Sequence, residues 1–212
     1  IAYFCYGPRV AVSKVTATLP AGTYTFKATY QNTFAEQTQD VGSDATLDFY
    51  TAKAQVQVNK STGAAFAGVR VLFSPSSGFG NYISVNTDGT GIASTELFPG
   101  AIYYKGLTNG TSAVQSAALP ADGTTAGQSG LVTFYTSKSI AKVANCDGVA
   151  LAGIAIKFYG GGFPGTWASA TTDAGGLASI EEFPGTWKIQ ASVNDTSETQ
   201  DQVLAGDGLT AG

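Results

Sequence analysis

The chain repeats itself at one fixed interval along the sequence. Two pairs of segments show the repeat most clearly: 67–73 with 152–158, and Phe98-Pro99-Gly100 with Phe183-Pro184-Gly185. We call the separation of Phe98 from Phe183 the repeat interval. Self-similarity at a fixed interval is typical of stacked structural units, each of which is one small module. The sequence therefore predicts two corresponding modules, at 51–135 and at 136–212.

A weaker third copy lies at the front of the chain. Leu19-Pro20-Ala21-Gly22 repeats the Phe-Pro-Gly turn, and the segment 47–51 anticipates 132–136. We expect a shortened module at 7–50. Because Tyr50-Thr51 leads directly into the next module with almost no linker, the arrangement favours a stiff rod over a flexible string.

The modules are predicted to be all-β. Val69, Val71 and Phe73 alternate with other residues, which is the period of a strand with one buried face. The segments Thr-Asp-Gly-Thr-Gly and Thr-Asp-Ala-Gly-Gly place Asp and Gly where a tight reversal needs them. Short strands separated by such turns predict tandem immunoglobulin-like β-sandwiches.

The order of these motifs resembles a known family. A small residue and Gly before a Val-x-Val strand, then Thr-Asp-x-x-Gly, then Phe-Pro-Gly before an aromatic strand is similar to the prealbumin-like, Cna B-type repeats of bacterial surface proteins and pili. The full pattern covers 51–212, and its second half is visible in 1–50. The resemblance implies a seven-stranded sandwich that serves as a stalk or pilus module, sometimes with a Lys–Asn isopeptide bond between its first and last strands.

The residues for that isopeptide bond are incomplete. Lys53 and Lys138 lie in the first strands, but 130–136 contains no Asn or Asp, and Asp48 is the only acceptor candidate in an equivalent strand. The strand in which the family carries its acidic catalyst contains Glu96, Glu181 and Glu182. We therefore expect the two lysines to be solvated strand residues.

The two ends of the chain are predicted to fit each other. The third module should end on a strand like 131–136, yet the sequence stops at Gly212, whereas 1–6 aligns with that strand. The predicted donor strand consists of Ile1, Ala2, Tyr3, Phe4, Cys5 and Tyr6. Donated to the next chain, it would complete that chain's third module and build an open head-to-tail filament. The alternative is that the 212 residues are one period of a longer polypeptide.

The cysteines and sequons agree with an exterior location. Cys5 and Cys146 could form an intermolecular disulfide between the donor strand and the module that receives it, and a buried free thiol is the alternative for each. Three Asn-x-Ser/Thr sequons are candidate glycosylation sites: Asn59, Asn109 and Asn194. We expect an extracellular or cell-surface protein.

The sequence offers little chemistry. It contains no His, which removes the commonest general base, and we predict no catalytic residue, metal or cofactor. The repeated aspartates beside glycine are interpreted as turn residues. Its 11 basic residues are scattered and its net charge is −4, so nucleic acid is not an expected partner. No apolar stretch is long enough to predict membrane insertion.

Two functions remain after these exclusions. The first is a structural subunit of an extracellular filament, pilus or cell-surface stalk whose partners are copies of itself. The second is an adhesin or carbohydrate-binding module array that contacts a surface glycan or receptor, for which Tyr159, Phe163 and Trp167 could form a sugar-stacking platform. Packing in a core or an interface is the alternative use of these three rings.

Overall fold

The computed structural model describes the backbone of residues 2–5 and all of residues 15–120, 122–160 and 166–209. All regular structure in these ranges is β, in sixteen strands. The first eight are β1 Ala2–Cys5, β2 Gly22–Tyr30, β3 Thr33–Val41, β4 Ala52–Asn59, β5 Arg70–Ser74, β6 Ile83–Asn86, β7 Ile92–Leu97 and β8 Gly100–Thr108. The others are β9 Thr111–Leu119, β10 Ser129–Tyr135, β11 Ser137–Lys142, β12 Ala155–Gly160, β13 Trp167–Thr171, β14 Leu177–Glu182, β15 Gly185–Val193 and β16 Thr196–Leu204.

The front of the chain forms a three-stranded sheet in the order β1-β2-β3. β2 and β3 are an antiparallel hairpin whose two turn residues, Gln31 and Asn32, both have positive φ. That conformation is the one a two-residue hairpin turn requires. β1 runs parallel to β2, with Ala2 opposite Phe26.

The middle of the chain forms a seven-stranded sandwich. One sheet has the order β10-β4-β7 and the other β6-β5-β8-β9, with β10 parallel to β4. Alternate residues of β4 are fully buried between the sheets: Ala52, Ala54, Val56 and Val58. Val69, Val71 and Phe73 share the same core, which confirms the predicted period of two.

The last part of the chain repeats this sandwich with one strand fewer in the described residues. β11 pairs with β14, and the second sheet has the order β13-β12-β15-β16. Ile156, Phe158 and Trp187 are 0% exposed between them. β11 corresponds to β4, but among the described strands none pairs with the side of β11 that β10 occupies on β4.

The Thr-Asp turns carry out the role that the sequence predicts. Asp88 Oδ1 accepts hydrogen bonds from the backbone N–H groups of Thr90 and Ile92, at 2.8 and 3.1 Å. Asp173 Oδ1 accepts the corresponding bonds from Gly175 and Leu177. The Thr90 hydroxyl also donates to Asp88 Oδ1, and this bond together with the two N–H bonds lowers the pKa of Asp88, since they stabilise the ionised carboxylate.

The fold is therefore an all-β structure built of several sheets, as expected, with β-sandwich packing. The part of the chain that the structure describes contains no helix long and apolar enough to cross a membrane.

Candidate assembly site

The edge of β11 is the clearest candidate for a site that takes up another strand. In the middle sandwich the corresponding edge is that of β4, and β10 pairs with it. Val56 and Val58 of β4 are 0% exposed there. Ala141 and Val143 are the counterparts of those valines in the last sandwich, and both are only partly buried although they pack against its core. An edge strand beside a partly covered apolar row is a place where strand addition buries both backbone and side chains.

The predicted donor strand lies elsewhere in this chain. Ala2–Cys5 forms β1, which adds in parallel to β2, from Ala2 opposite Phe26 to Cys5 opposite Thr29. Ile1 and Tyr6 lie outside the described residues. Donation to a second chain therefore stays a prediction.

Cys146 has a free thiol and is exposed. It lies in a turn in which Asn145 Oδ1 accepts hydrogen bonds from the N–H groups of Asp147 and Val149. The structure describes only the backbone of Cys5, so the intermolecular disulfide stays a prediction.

The three sequon asparagines have different surroundings. Asn194 is exposed in the β15–β16 turn, and Asn59 Oδ1 accepts a hydrogen bond from Gln57 at 3.0 Å. Asn109 Nδ2 donates to Glu182 Oε1 at 2.5 Å, so a glycan on Asn109 would have to replace that bond. Glycosylation at all three stays a prediction.

Of the three rings predicted to form an aromatic platform, two lie in the described residues, and one of these two is exposed. Trp167 is 47% exposed and Lys157 Nζ lies 4.9 Å from its ring centroid, whereas Tyr159 is 6% exposed. Phe163 lies outside the described residues. Sugar binding therefore stays a prediction, and Trp167 is the ring that could carry it.

The predicted solvated lysines lie on the outer faces of their strands. Lys53 and Lys138 are both exposed, opposite Glu96 and Glu181 on the neighbouring strands. The core side of β4 belongs to Ala52 and Ala54. A bond from Lys53 through the core to the last strand is therefore excluded by the direction of the side chain.

The structure brings together residues that the sequence left unconnected, at two places where one module meets the next. We call the contact of 15–50 with the middle sandwich the first junction, and the contact of the middle sandwich with 137–209 the second junction. Phe49 and Phe98 meet edge to face across the first, with centroids 6.5 Å apart. Phe134 and Phe183 do the same across the second at 6.0 Å.

Hydrogen bonds repeat between the junctions in the same way. Tyr50 N–H donates to Gly123 O at 2.8 Å, and Tyr135 N–H donates to Gly208 O at 2.7 Å. The hydroxyl that follows each tyrosine binds a glutamate: Thr51 to Glu96 at 2.9 Å, and Thr136 to Glu181 at 2.7 Å. Each of these residues in the second junction lies one repeat interval after its counterpart in the first. The two junctions therefore share one contact geometry.

The second junction is closely packed. A Cβ added to Gly106 would lie 2.6 Å from the ring of Phe183, and one added to Gly110 would lie 2.7 Å from Gly160 O. Gly110 also has a φ of 91°, which favours glycine. Phe183 is 0% exposed and belongs to the core of the middle sandwich, so the two modules share apolar packing.

One position separates the two junctions chemically. Leu97 is 1% exposed in the first, and its counterpart Glu182 is 0% exposed in the second. Glu182 Oε2 has no hydrogen-bond partner among the described residues. Burial raises the pKa of Glu182 to about 7, although the hydrogen bond from Asn109 acts in the opposite direction.

The adjacent Glu181 has the opposite environment. Ser61 donates to it through its N–H and its hydroxyl, at 3.0 and 2.6 Å, and Thr136 donates a third bond. Burial alone would raise the pKa of Glu181, but these hydrogen bonds outweigh burial and lower it. The two carboxylates have different hydrogen-bond partners: Glu182 binds Asn109, whereas Glu181 binds Ser61 and Thr136.

The described residues hold no group of three or more His, Cys, Asp or Glu side chains that could bind a metal ion. The candidate site consists of the strand edge of β11 and of the aromatic contacts and hydrogen bonds at the two junctions.

Comparison with known proteins gives distant structural matches alone. No family model matches the chain, and no curated protein matches it. Among solved structures, the TIE protein of Bacillus anthracis is 15% identical with a TM-score of 0.35, covering 89% of this chain and 42% of its own. A streptococcal ancillary pilin is 15% identical with a TM-score of 0.33, covering 90% of this chain and 73% of its own. BcpA, the major pilin subunit of Bacillus cereus, is 13% identical with a TM-score of 0.34, covering 71% and 67%. These TM-scores are too low to support an argument, so the assignment of the fold class rests on the observed strand pairing.

Proposed function

We propose that this chain is a structural subunit of an extracellular filament, pilus or cell-surface stalk. The observation that carries the proposal is the agreement between the two junctions, where the same ring contact, backbone hydrogen bond and hydroxyl–carboxylate bond recur one repeat interval later. A repeated contact rotates and translates each module by the same amount, and this generates a regular linear array. The function proposed is mechanical and assigns no catalytic role.

The proposed array is a stiff rod of prealbumin-like modules. Flexible linkers would leave the modules independent, but Phe183 packs in the core of the module before it and Gly110 approaches Gly160 O closely. Bending at the second junction would separate these contacts. Stiffness of this kind suits a shaft better than a hinged receptor.

Copies of the chain are proposed to join by strand addition at the edge of β11. β10 lies parallel to β4 with Val132 opposite Val56 and Phe134 opposite Val58. Shifted by one repeat interval, this register places the second position of a donated strand opposite Ala141 and the fourth opposite Val143. In residues 1–6 of a second copy those positions are Ala2 and Phe4. Burying the Phe4 ring would contribute about 2 kcal/mol, in addition to the new backbone hydrogen bonds.

Electron microscopy of the native material, with denaturing gels, tests this proposal. We expect filaments that Phe4→Asp abolishes, while Tyr3→Ser leaves them intact because alternate residues of a strand face opposite sides. The wild-type filaments should give a 21.6 kDa band on a denaturing gel, with reductant required if Cys5 and Cys146 are bonded. A far larger reduced band would show that the next period of one polypeptide supplies the strand. Dispersed monomers would contradict the structural role.

A binding role is the second candidate, and the exposed ring of Trp167 favours it. A glycan array with wild type and Trp167→Ala would test it, with Val203→Ala as the control because Val203 is also exposed but aliphatic. Glycan binding that is lost in Trp167→Ala alone would support a carbohydrate-binding module array.

A further inference from the structure

The described part of the chain contains three hairpin turns of one type, and two of them are covered by the following module. Gln31, Asn109 and Asn194 open these turns with φ of 46°, 41° and 47°. The threonine two residues after each is Thr33, Thr111 or Thr196. Thr33 and Thr111 are 5% and 8% exposed beneath the next module, whereas Thr196 is exposed.

The two covered turns show which part of the next module packs against such a turn. At the first junction Thr33 Oγ1 accepts a hydrogen bond from the N–H of Phe98, at 2.8 Å. At the second, Thr111 Cγ2 lies 3.9 Å from a Cβ built on Gly185. In both cases the Phe-Pro-Gly segment of the next module contacts the turn. At the second junction Gly160 lies against the turn as well, since a Cβ built on Gly160 would be 2.8 Å from Thr111 Cγ2.

We propose that the Asn194–Thr196 turn docks the Leu19-Pro20-Ala21-Gly22 segment of a second copy, which makes the contact between subunits a third copy of the junction. This inference rests on the proposed filament and names the surface on which its subunits meet. Leu19 is the counterpart of Phe98 and Phe183, which are 5% and 0% exposed. Leu19 is only partly buried, and Thr16, Ala17, Thr18 and Pro20 around it are exposed. In the described part of the chain, the Asn194–Thr196 turn is therefore exposed and Leu19 is less buried than its two counterparts.

The route of the chain links this contact to strand addition. At the second junction β10 ends on Tyr135, whose N–H binds Gly208 O of the following module, so the strand leaves the sandwich at the end where the Asn109 turn lies. A strand bound in the same way beside β11 would leave the last sandwich at the end where the Asn194 turn lies. In the sequence the donor's own first module comes next, as 136–212 comes after 51–135. Strand addition and turn docking are two parts of one interface.

A pair of engineered cysteines tests the contact. Gly22 is the counterpart of Gly185, and a Cβ built on Gly22 meets only ordinary van der Waals contacts at 3.5 Å or more. We combine Gly22→Cys with Thr196→Cys in a chain whose native thiols are removed by Cys5→Ser and Cys146→Ser. The matched control combines Gly22→Cys with Ser197→Cys, because Ser197 is exposed next to Thr196 on the opposite face of β16.

The expected result is a ladder of disulfide-linked oligomers on a non-reducing denaturing gel from the Gly22–Thr196 pair, and monomer from the control pair. Filaments of both variants that give monomer on the gel would overturn the third junction while strand addition stands. Equal ladders from both pairs would also overturn it, since they would show non-specific collision. A preparation without filaments on the microscope grid would contradict the proposed function itself.

Discussion

The burial of Glu182 predicts that the second junction weakens as pH rises. The pKa of this carboxyl is raised from 4.5 to about 7 by burial, with Glu181 adding to the rise and the Asn109 hydrogen bond opposing it. A folded-state pKa above the unfolded one means that the stabilisation is complete below about pH 4.5 and is lost as pH rises to about 7. At 1.36 kcal/mol per pH unit, the loss amounts to about 3 kcal/mol.

The assay is urea unfolding of wild type and Glu182→Gln at pH 5 and pH 8. Glutamine keeps the shape and an acceptor for Asn109 but does not ionise, so the difference between the two proteins isolates Glu182 from all other titrating groups. We expect Glu182→Gln to gain about 2–3 kcal/mol relative to wild type between the two pH values. Glu182→Leu, which copies Leu97 of the first junction, should show the same loss of pH dependence. A wild-type-minus-Gln difference that stays constant within about 0.5 kcal/mol would refute the reasoning.

Three further substitutions test the junctions. Phe183→Ala should destabilise the chain by about 3–5 kcal/mol in thermal or urea unfolding, because it leaves a cavity in the middle core. Gly106→Val should lower Tm because its Cβ would lie 2.6 Å from the Phe183 ring, and the double variant with Phe183→Ala should recover part of the loss. Glu181→Gln should cost about 1–3 kcal/mol at pH 7. The contribution of Glu181 is present above pH 4.5 and is lost as pH falls, since its pKa is lowered, so the Gln variant should approach wild type in acid.

The sequence predicts the class of fold well, for a local reason. The alternation of Val69, Val71 and Phe73 and the Thr-Asp-Gly turns are short-range patterns that depend on strand period and turn geometry alone. Both recur at the repeat interval, so each copy supports the interpretation of the other.

The junctions could not be predicted from the same patterns. Phe49 meets Phe98, and Thr51 meets Glu96, across long stretches of sequence that only the complete sandwich brings together. Glu182 shows the difficulty most clearly. A glutamate is almost never fully buried, and the burial of Glu182 depends on the turn of the preceding module, which covers it through Asn109.

The two junctions separate what sets their geometry from what sets their stability. The geometry of each junction comes from two contacts that both junctions share, the phenylalanine ring pair and the backbone hydrogen bond from tyrosine to glycine. Neither contact involves a carboxylate. The junctions differ at one position, which is Leu97 in the first junction and Glu182 at the equivalent place in the second. Leucine there is stable at any pH, whereas glutamic acid is compatible with burial only while it holds its proton. Raising the pH should therefore loosen the second junction first and leave the first intact.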